Sequence, residues 1–340
     1  MANTINWGKI YESTYWGNTD NNISWGKAYA DLAGVVPALV SEFVSRVEAD
    51  GGSVESTECM STDLTFLVNN PEPVDFTGLL NDYSGAAAAY SLRLLDNTYS
   101  GNAIKVRRSS DNAEQDIAFV NNELDTASLE TFAGAGDAFV TTWYDQSGSG
   151  NDATQTTAAS QQKIVSSGST ILDNGNPSLE FSSNQDIEVS DLVNDDQASF
   201  SLFGIGSFDS LSGEGVFFCA TAEAANFRYA LSYNRAGGGK FANRVWLEGT
   251  AYNSGSDSAL SPSNQYLFSS VQTNFYIDSV ANTTANAGRL QAFGDSFQIG
   301  SRQGVYYHDG KVSEVVVYLS DESTNRTGIE TNINDFYSIY

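Results

Sequence analysis

The chain has 340 residues, with 16 Lys and Arg against 42 Asp and Glu, for a formal charge of −26. Phosphate backbones and anionic lipid surfaces are held by cations, so this balance excludes nucleic acid and an acidic membrane surface as partners. With 41% hydrophobic and 12% aromatic residues the chain can fill a core, unlike acidic disordered chains, whose apolar content does not offset the entropy of folding.

Met1-Ala2-Asn3-Thr4-Ile5-Asn6 lacks the basic start and apolar core of a secretory signal, and no stretch reaches the roughly 18 apolar residues of a membrane span. A soluble protein, not exported by the usual route, is expected. Residues 1–34 contain a repeat: Ile5-Asn6-Trp7-Gly8-Lys9-Ile10-Tyr11 returns as Ile23-Ser24-Trp25-Gly26-Lys27-Ala28-Tyr29, with Trp16 between. So short a segment builds no core of its own, so Trp7, Tyr11, Trp16, Trp25 and Tyr29 bury elsewhere. The arm packs on its own chain or docks into a partner subunit, where Trp and Tyr are favoured anchors. From residue 35 the period is helical, with Val36, Leu39, Val40, Phe43, Val44 and Val47 on one face. Gly51-Gly52 ends it. A second helix from Ser56, striped by Cys59, Met60, Leu64 and Leu67, completes a hairpin over 35–70. Pro71, Pro73 and Gly78 make 71–82 a linker.

Residues 83–340 read as short strands divided by Gly, Asn, Ser and Asp, apart from a short helix around Ala86 to Leu95 and another from Asp125 to Phe132. The β-branched and aromatic runs at 139–144, 199–205, 215–218, 266–271, 296–300 and 312–318 are strand-like. Helices are too few for βαβ units, so a mainly β antiparallel sandwich or jelly roll is expected, closed by a terminal helix from Arg326.

One His and two Cys leave His-based triads, Cys/His zinc sites and disulfide frameworks without enough residues. Cys59 and Cys219 pair, or each is a buried thiol. His308, beside Tyr306-Tyr307 and Asp309, reads as hydrogen-bonded structure. Asn194-Asp195-Asp196 and Asn81-Asp82 carry hard oxygen ligands for calcium, without the spacing of an EF-hand, and no other cofactor is expected.

Two blocks carry a resemblance. One is Ala89-Tyr90-Ser91-Leu92-Arg93-Leu94-Leu95 with Tyr99-Ser100-Gly101 and Ile104 to Asn112; the other is Trp143-Tyr144-Asp145-Gln146-Ser147-Gly148-Ser149-Gly150-Asn151-Asp152. Together they resemble the catalytic domain of the α-L-arabinofuranosidase B family, which implies a concanavalin-like β-sandwich over 83–340. A retaining glycosidase uses two carboxyls about 5 Å apart. The resemblance implies Glu223 as nucleophile, after Gly215 to Ala222, and an acid just past Ile299-Gly300. There the chain has Ser301-Arg302, and Arg302 donates no proton near neutral pH; Asp295 or Asp309 would have to serve instead. Binding without hydrolysis is therefore the first expectation, with Asp145, Gln146, Glu223, Trp246 and Tyr252 as sugar-contacting candidates.

The Trp-Gly-Lys repeat, with Phe43-Val44-Ser45-Arg46-Val47-Glu48-Ala49-Asp50-Gly51-Gly52, resembles the opening of structural proteins of marine tailed bacteriophages. That implies a virion surface protein, a capsid decoration, head fibre or tail appendage, anchored to other virion proteins by its N-terminal region, homo-oligomeric, and displaying the sandwich toward host glycans. Its rivals are an active arabinofuranosidase-type hydrolase and a purely structural decoration without sugar binding.

Overall fold

The computed structural model describes residues 76–340, except 191, 193–198, 211–214, 223–225, 234–240, 248–249, 256–259, 273, 283–295 and 303. The chain divides into two units, 1–75 and 76–340. The arm with Trp7, Tyr11, Trp16, Trp25 and Tyr29, the hairpin over 35–70 and the start of the linker lie outside the described residues.

After a one-turn helix α1 (Leu79–Asp82) come β1 (Ala86–Ser91), β2 (Ile104–Arg108), β3 (Glu114–Ile117) and helix α2 (Thr126–Ala133). Next are β4 (Ala138–Trp143), β5 (Ala153–Thr154), β6 (Gln162–Ser166), β7 (Ser169–Thr170), β8 (Leu179–Phe181), β9 (Ile187–Ser190) and β10 (Ser201–Phe208). The chain continues through β11 (Gly215–Ala222), β12 (Asn226–Tyr233), β13 (Phe241–Leu247), β14 (Thr250–Gly255), β15 (Gln265–Val271), β16 (Asn274–Ile277) and β17 (Val280–Asn282). Last are β18 (Ser296–Ile299), β19 (Gly310–Tyr318) and helix α3 (Arg326–Tyr337). Among the described residues these nineteen strands form one ladder, antiparallel throughout, so the expected β-sandwich is what the chain builds.

The centre of the ladder is β19. It pairs with β10 along one edge and with β1 and β8 along the other. Beyond β10 the ladder runs through β15 and β16 to β17. Beyond β8 it passes β6 and β4, then β5, β9 and β18, and ends in the meander β11 to β14. One core holds Val315 and Val317 of β19 together with Phe217 and Phe218 of β11, Phe297 and Ile299 of β18 and Trp143 of β4. A second holds Val316 and Tyr318 with Leu79 and Leu80 of α1 and Ile329, Ile333 and Tyr337 of α3. Because successive residues of a strand point to opposite faces, Val315-Val316-Val317 feed both cores. A strand covered on both sides needs such an unbroken apolar run. The α3 contacts recur every fourth residue, as a helix lying on a sheet requires.

The helix around 126–133 forms as expected, started by Asp125, whose Oδ1 accepts from the Ser128 N–H at 3.0 Å. The helix expected around Ala86 to Leu95 does not. Ala86–Ser91 is an almost fully buried strand against Glu314–Tyr318. Alanine favours helix only weakly over other states, and a slot beside the bulky valines of β19 is filled best by small residues in extended form.

The central strand also carries a charge. Glu314 is fully buried, and Arg93, 6% exposed, meets it with two bonds, Nε to Oε2 at 2.7 Å and Nη2 to Oε1 at 3.0 Å. The Ser91 hydroxyl donates to Oε2 at 2.7 Å and the Tyr337 hydroxyl at 3.3 Å. The guanidinium lies 5.0 Å from the Phe336 ring centre. Burial pushes the Arg93 pKa down and Glu314 pushes it up, leaving it above its ordinary value. Removing one member strands the other charge in the core. Glu314→Leu should cost about 3–5 kcal/mol in urea unfolding, whereas Arg93→Met with Glu314→Leu should recover most of that loss. A double variant no more stable than the single one would contradict this account.

His308 is fully buried, with its ring 5.3 Å from Phe208, 5.2 Å from Phe217 and 5.8 Å from Phe181, all edge-on. Burial pushes its pKa down to about 3, so the folded imidazole is neutral. Below the ordinary value near 6.5 the unfolded chain gains a proton that the folded chain refuses. Stability is therefore lost as pH falls from about 6.5 toward 3, by up to about 1.4 kcal/mol per pH unit. Asp278 works the other way, since burial raises its pKa to about 6 and the folded state takes up its proton first. His308→Leu keeps Asp278 unchanged, so the stability of the wild type relative to the variant should fall from pH 7 to pH 4. Parallel urea midpoints across that range would show that His308 does not drive the pH dependence.

Candidate functional site

The two blocks of the resemblance meet in space. Asp145 and Gln146 follow β4 in a turn and are 4% and 2% exposed. Asp145 Oδ1 accepts from the N–H groups of Ala89 (2.8 Å) and Ser147 (2.9 Å); Oδ2 accepts from the Ser147 hydroxyl (2.7 Å) and the Asn151 N–H (3.0 Å). Gln146 Oε1 accepts from Leu95 N–H at 2.8 Å, and its Nε2 donates to the carbonyls of Ser91 and Arg93, both at 3.1 Å. The Gln146 N–H bonds the Ala89 carbonyl at 2.8 Å, and the Tyr90 hydroxyl donates to the Asn151 carbonyl. Two of the five side chains offered for sugar contact, Asp145 and Gln146, are thus inside the protein, with protein partners on every polar atom.

The other expected site residues lie on or beside the β11 to β14 meander. Glu223 and Asp295 fall outside the described residues; their sequence neighbours Ala222 and Ser296 do not. Thr221 pairs with Ser296 and Phe218 with Ile299, so Ala222, which ends β11, and Ser296, which begins β18, share one end of that strand pair. Ile299-Gly300 lies at the other end, about 13 Å back along β11 at 3.3 Å per residue. Trp246 pairs with Ala251, and Tyr252 with Val245, one step apart on β13 and β14.

At the Ile299 end stands a carboxylate that sequence reasoning missed. Asp186 precedes β9, which pairs with β18 through Ile187 and Ile299. The Ser301 hydroxyl, fully buried, donates to Asp186 Oδ2 at 2.7 Å, and Gln155 Nε2 donates to Oδ1 at 2.9 Å. Gly300 between them has φ +91°, and a Cβ there would fall 2.4 Å from the Phe181 ring, so only glycine lets the chain turn so close. The loop then folds on itself, with paired backbone bonds between Arg302 and Val305 of 2.9 and 3.0 Å. Tyr306 follows with φ +55° and 43% exposure. The Arg302 guanidinium covers one face of its ring, 4.0 Å from the centre, and the Tyr306 carbonyl accepts from Val216 N–H at 2.9 Å. Nothing local in Asn184-Gln185-Asp186 marks it; only the long-range register brings it to Ser301.

Asp309, the other alternative acid, has its carbonyl bonded to Asp209 N–H at 2.9 Å, and Lys311 Nζ lies 3.4 Å from Asp209 Oδ1. Burial raises the Asp309 pKa, with help from the Asp209 charge. Cys219 is a buried free thiol, and burial pushes its pKa up. Among the described residues no three His, Cys, Asp or Glu side chains converge on a metal position. Asn81 is engaged in a turn, accepting from Gly78 and Asn97 N–H groups at 2.8 and 3.1 Å; Asn194, Asp195 and Asp196 lie outside the described residues. Among the described residues no helix is long and apolar enough to cross a membrane.

The family described as alpha-L-arabinofuranosidase B, catalytic, matches residues 82–178. No curated protein matches the chain over its sequence. Among solved structures, a GH54 α-L-arabinofuranosidase soaked with a cyclic sulfate inhibitor is similar at 16% identity, with a TM-score of 0.52. A glutamine mutant of a GH54 α-L-arabinofuranosidase soaked with 4-nitrophenyl α-L-arabinofuranoside is similar at 16% identity, with a TM-score of 0.51. Each comparison covers 73% of this chain and 62% of the other. A Trypanosoma rangeli sialidase in complex with sialic acid is similar at 12% identity over 66% of this chain and 43% of its own, with a TM-score of 0.41. The fold is thus that of the GH54 sandwich, and the matched segment contains the Asp145 turn and its partners. Because each Asp145 oxygen accepts from two donors, Asp145→Asn turns an amide NH2 toward two of them and should cost about 1–3 kcal/mol. Thermal unfolding checks this; an unchanged Tm would mean that the turn does not bind the framework together.

Proposed function

We propose that the chain is a carbohydrate-active protein, a glycoside hydrolase of arabinofuranosidase type, with Glu223 as nucleophile and Asp295 as general acid. The observation that carries this reading is the β11–β18 register. Thr221 and Ser296 are opposite each other, Glu223 comes two residues after the first, and Asp295 comes directly before the second. Each carboxyl therefore lies within two residues of the same end of one strand pair, and a retaining mechanism requires its two carboxyls about 5 Å apart. In that mechanism Glu223 attacks the anomeric carbon as Asp295 protonates the departing oxygen. Water, deprotonated by Asp295, then releases the sugar from the glycosyl ester. The match to a catalytic family over residues 82–178 supports the same reading.

The test is release of 4-nitrophenol from 4-nitrophenyl α-L-arabinofuranoside by the full chain. Glu223→Gln should abolish turnover, and Asp295→Asn should lower it by roughly 10²–10⁴. No turnover by the wild type, or turnover indifferent to Glu223→Gln, would refute the proposal. A second reading rests on the Trp7-Gly8-Lys9 and Trp25-Gly26-Lys27 repeat: the sandwich is displayed on a bacteriophage particle, anchored through 1–34, as a multivalent adhesin for host glycans. Antibody against residues 83–340 should then label purified virions at the head or tail; bare particles would remove that reading.

A further inference from the structure

The hairpin between Ile171 and Ser178 carries the one Asn-Gly step in the chain, Asn174-Gly175. Leu172–Asp173 pairs with Asn176–Pro177, and the Ser178 N–H bonds the Ile171 carbonyl at 3.0 Å. The two residues between have φ of +47° and +84°, the positive values that a two-residue hairpin turn requires and that Asn-Gly supplies. Both are exposed. The Gly175 N–H has no acceptor among the described residues, and a Cβ on Gly175 would meet nothing within 4 Å. The Asn174 side chain, by contrast, is held on the C-terminal helix. Its Nδ2 donates to the Tyr337 carbonyl at 2.8 Å and to the Ser338 carbonyl at 3.4 Å, at a helix end where carbonyls lack partners within the helix. No basic side chain stands in the last turn of α3, so this neutral amide supplies donors to the negative end of the helix. Tyr337, held there, is 1% exposed, and its hydroxyl reaches Glu314.

We infer that Asn174 is a site of spontaneous deamidation, and that the change unlatches the last turn of α3. The Gly175 nitrogen loses its proton to solvent base and attacks Asn174 Cγ. The new N–Cγ bond closes a succinimide ring, the Cγ–Nδ2 bond breaks, and ammonia leaves with a proton from solvent. Water then opens the ring at either carbonyl, giving aspartate or isoaspartate, with no change of oxidation state. Gly175 has no side chain to obstruct the attack. The attack turns Cγ toward the Gly175 nitrogen and so opens the Nδ2 bonds, which makes the step draw on the fraying that helix ends undergo. The product lacks the Nδ2 donors and sets a carboxylate against the Tyr337 and Ser338 carbonyls, where it is repelled by the negative end of the helix. Isoaspartate also adds a main-chain carbon to a turn whose length fixes the pairing of Asp173 with Asn176. None of these steps depends on the proposed hydrolase.

The test ages the full chain in mildly alkaline buffer and maps its peptides by mass spectrometry. The peptide with Asn174 should gain the mass difference between amide and acid, faster as pH rises and ahead of the exposed Asn97 and Asn112. Isoaspartyl methyltransferase should label that peptide in the aged wild type and not in aged Asn174→Ser. Asn174→Asp carries the charge of the product, whereas Asn174→Ser only removes the donors. The Asp variant should therefore melt about 2–4 °C below the Ser variant, and hydrogen exchange at residues 334–338 should be faster in it. Conversion at Asn174 no faster than at Asn97 and Asn112 would overturn the modification. An Asp variant as stable as the Ser variant, with exchange at the end of α3 unchanged, would overturn the unlatching.

Discussion

A carboxylate in the middle of the central strand constrains the whole sandwich. Glu314 lies on β19 between two cores, with no exposure to water, and an uncompensated charge there would cost more than most single contacts contribute. Its partners come from two distant parts of the sequence. Arg93 comes from the turn after β1, Ser91 from the end of β1, and Tyr337 from the last turn of α3. The first and last elements of the sandwich are thereby required to reach the same point, and the strand between them is fixed in register.

The segments that resemble an arabinofuranosidase are bound into this constraint. Arg93 sits in the first block, and its carbonyl accepts from Gln146 of the second. Asp145 captures Ala89 from the first block while organising Ser147 and Asn151 of its own. Two stretches 50 residues apart in sequence are thus one hydrogen-bonded unit. Side chains whose every polar atom has an internal partner tolerate few replacements. The likeness in residues 82–178 is accordingly, at Asp145 and Gln146, a likeness of framework.

What could be read from sequence follows the range of the interactions. The valines of β19, the aromatic run of β4 and the four-residue spacing of α3 are local patterns, and the expected strands and terminal helix match them. Ala86 to Ala89 misled because four alanines look helical until the neighbours they must fit between are known. Asp145 and Gln146 were recognisable as important, but not as buried, since burial depends on β1 folding over them. Asp186 was invisible: its partner Ser301 is 115 residues away, and only the β9–β18 pairing joins them. Tyr306 was equally hidden, because nothing in Val305-Tyr306-Tyr307 prescribes a positive φ.

The scarce cations of this acidic chain are spent on holding rings and carboxylates within the fold. Arg107 lies 5.0 Å from Phe139, Arg108 5.0 Å from Phe132, and Arg326 3.9 Å from Tyr276. Arg108 and Lys163 also pair with Asp111 and Asp137. The ion-paired cations leave little unbalanced positive charge, and with 16 Lys and Arg against 42 Asp and Glu the chain's field keeps the sign of its excess carboxylates. Neutral hydroxyl-rich ligands approach such a surface without electrostatic cost, and at close range its carboxylates become acceptors for their hydroxyls. Arg302 fits this use of charge, since it supports the Tyr306 ring from beside the strand that leads to Glu223. Under the proposed hydrolase reading, such a surface suits a neutral glycan arriving at the Ala222–Ser296 end of the β11–β18 pair, from which the chain leads to Glu223 and Asp295.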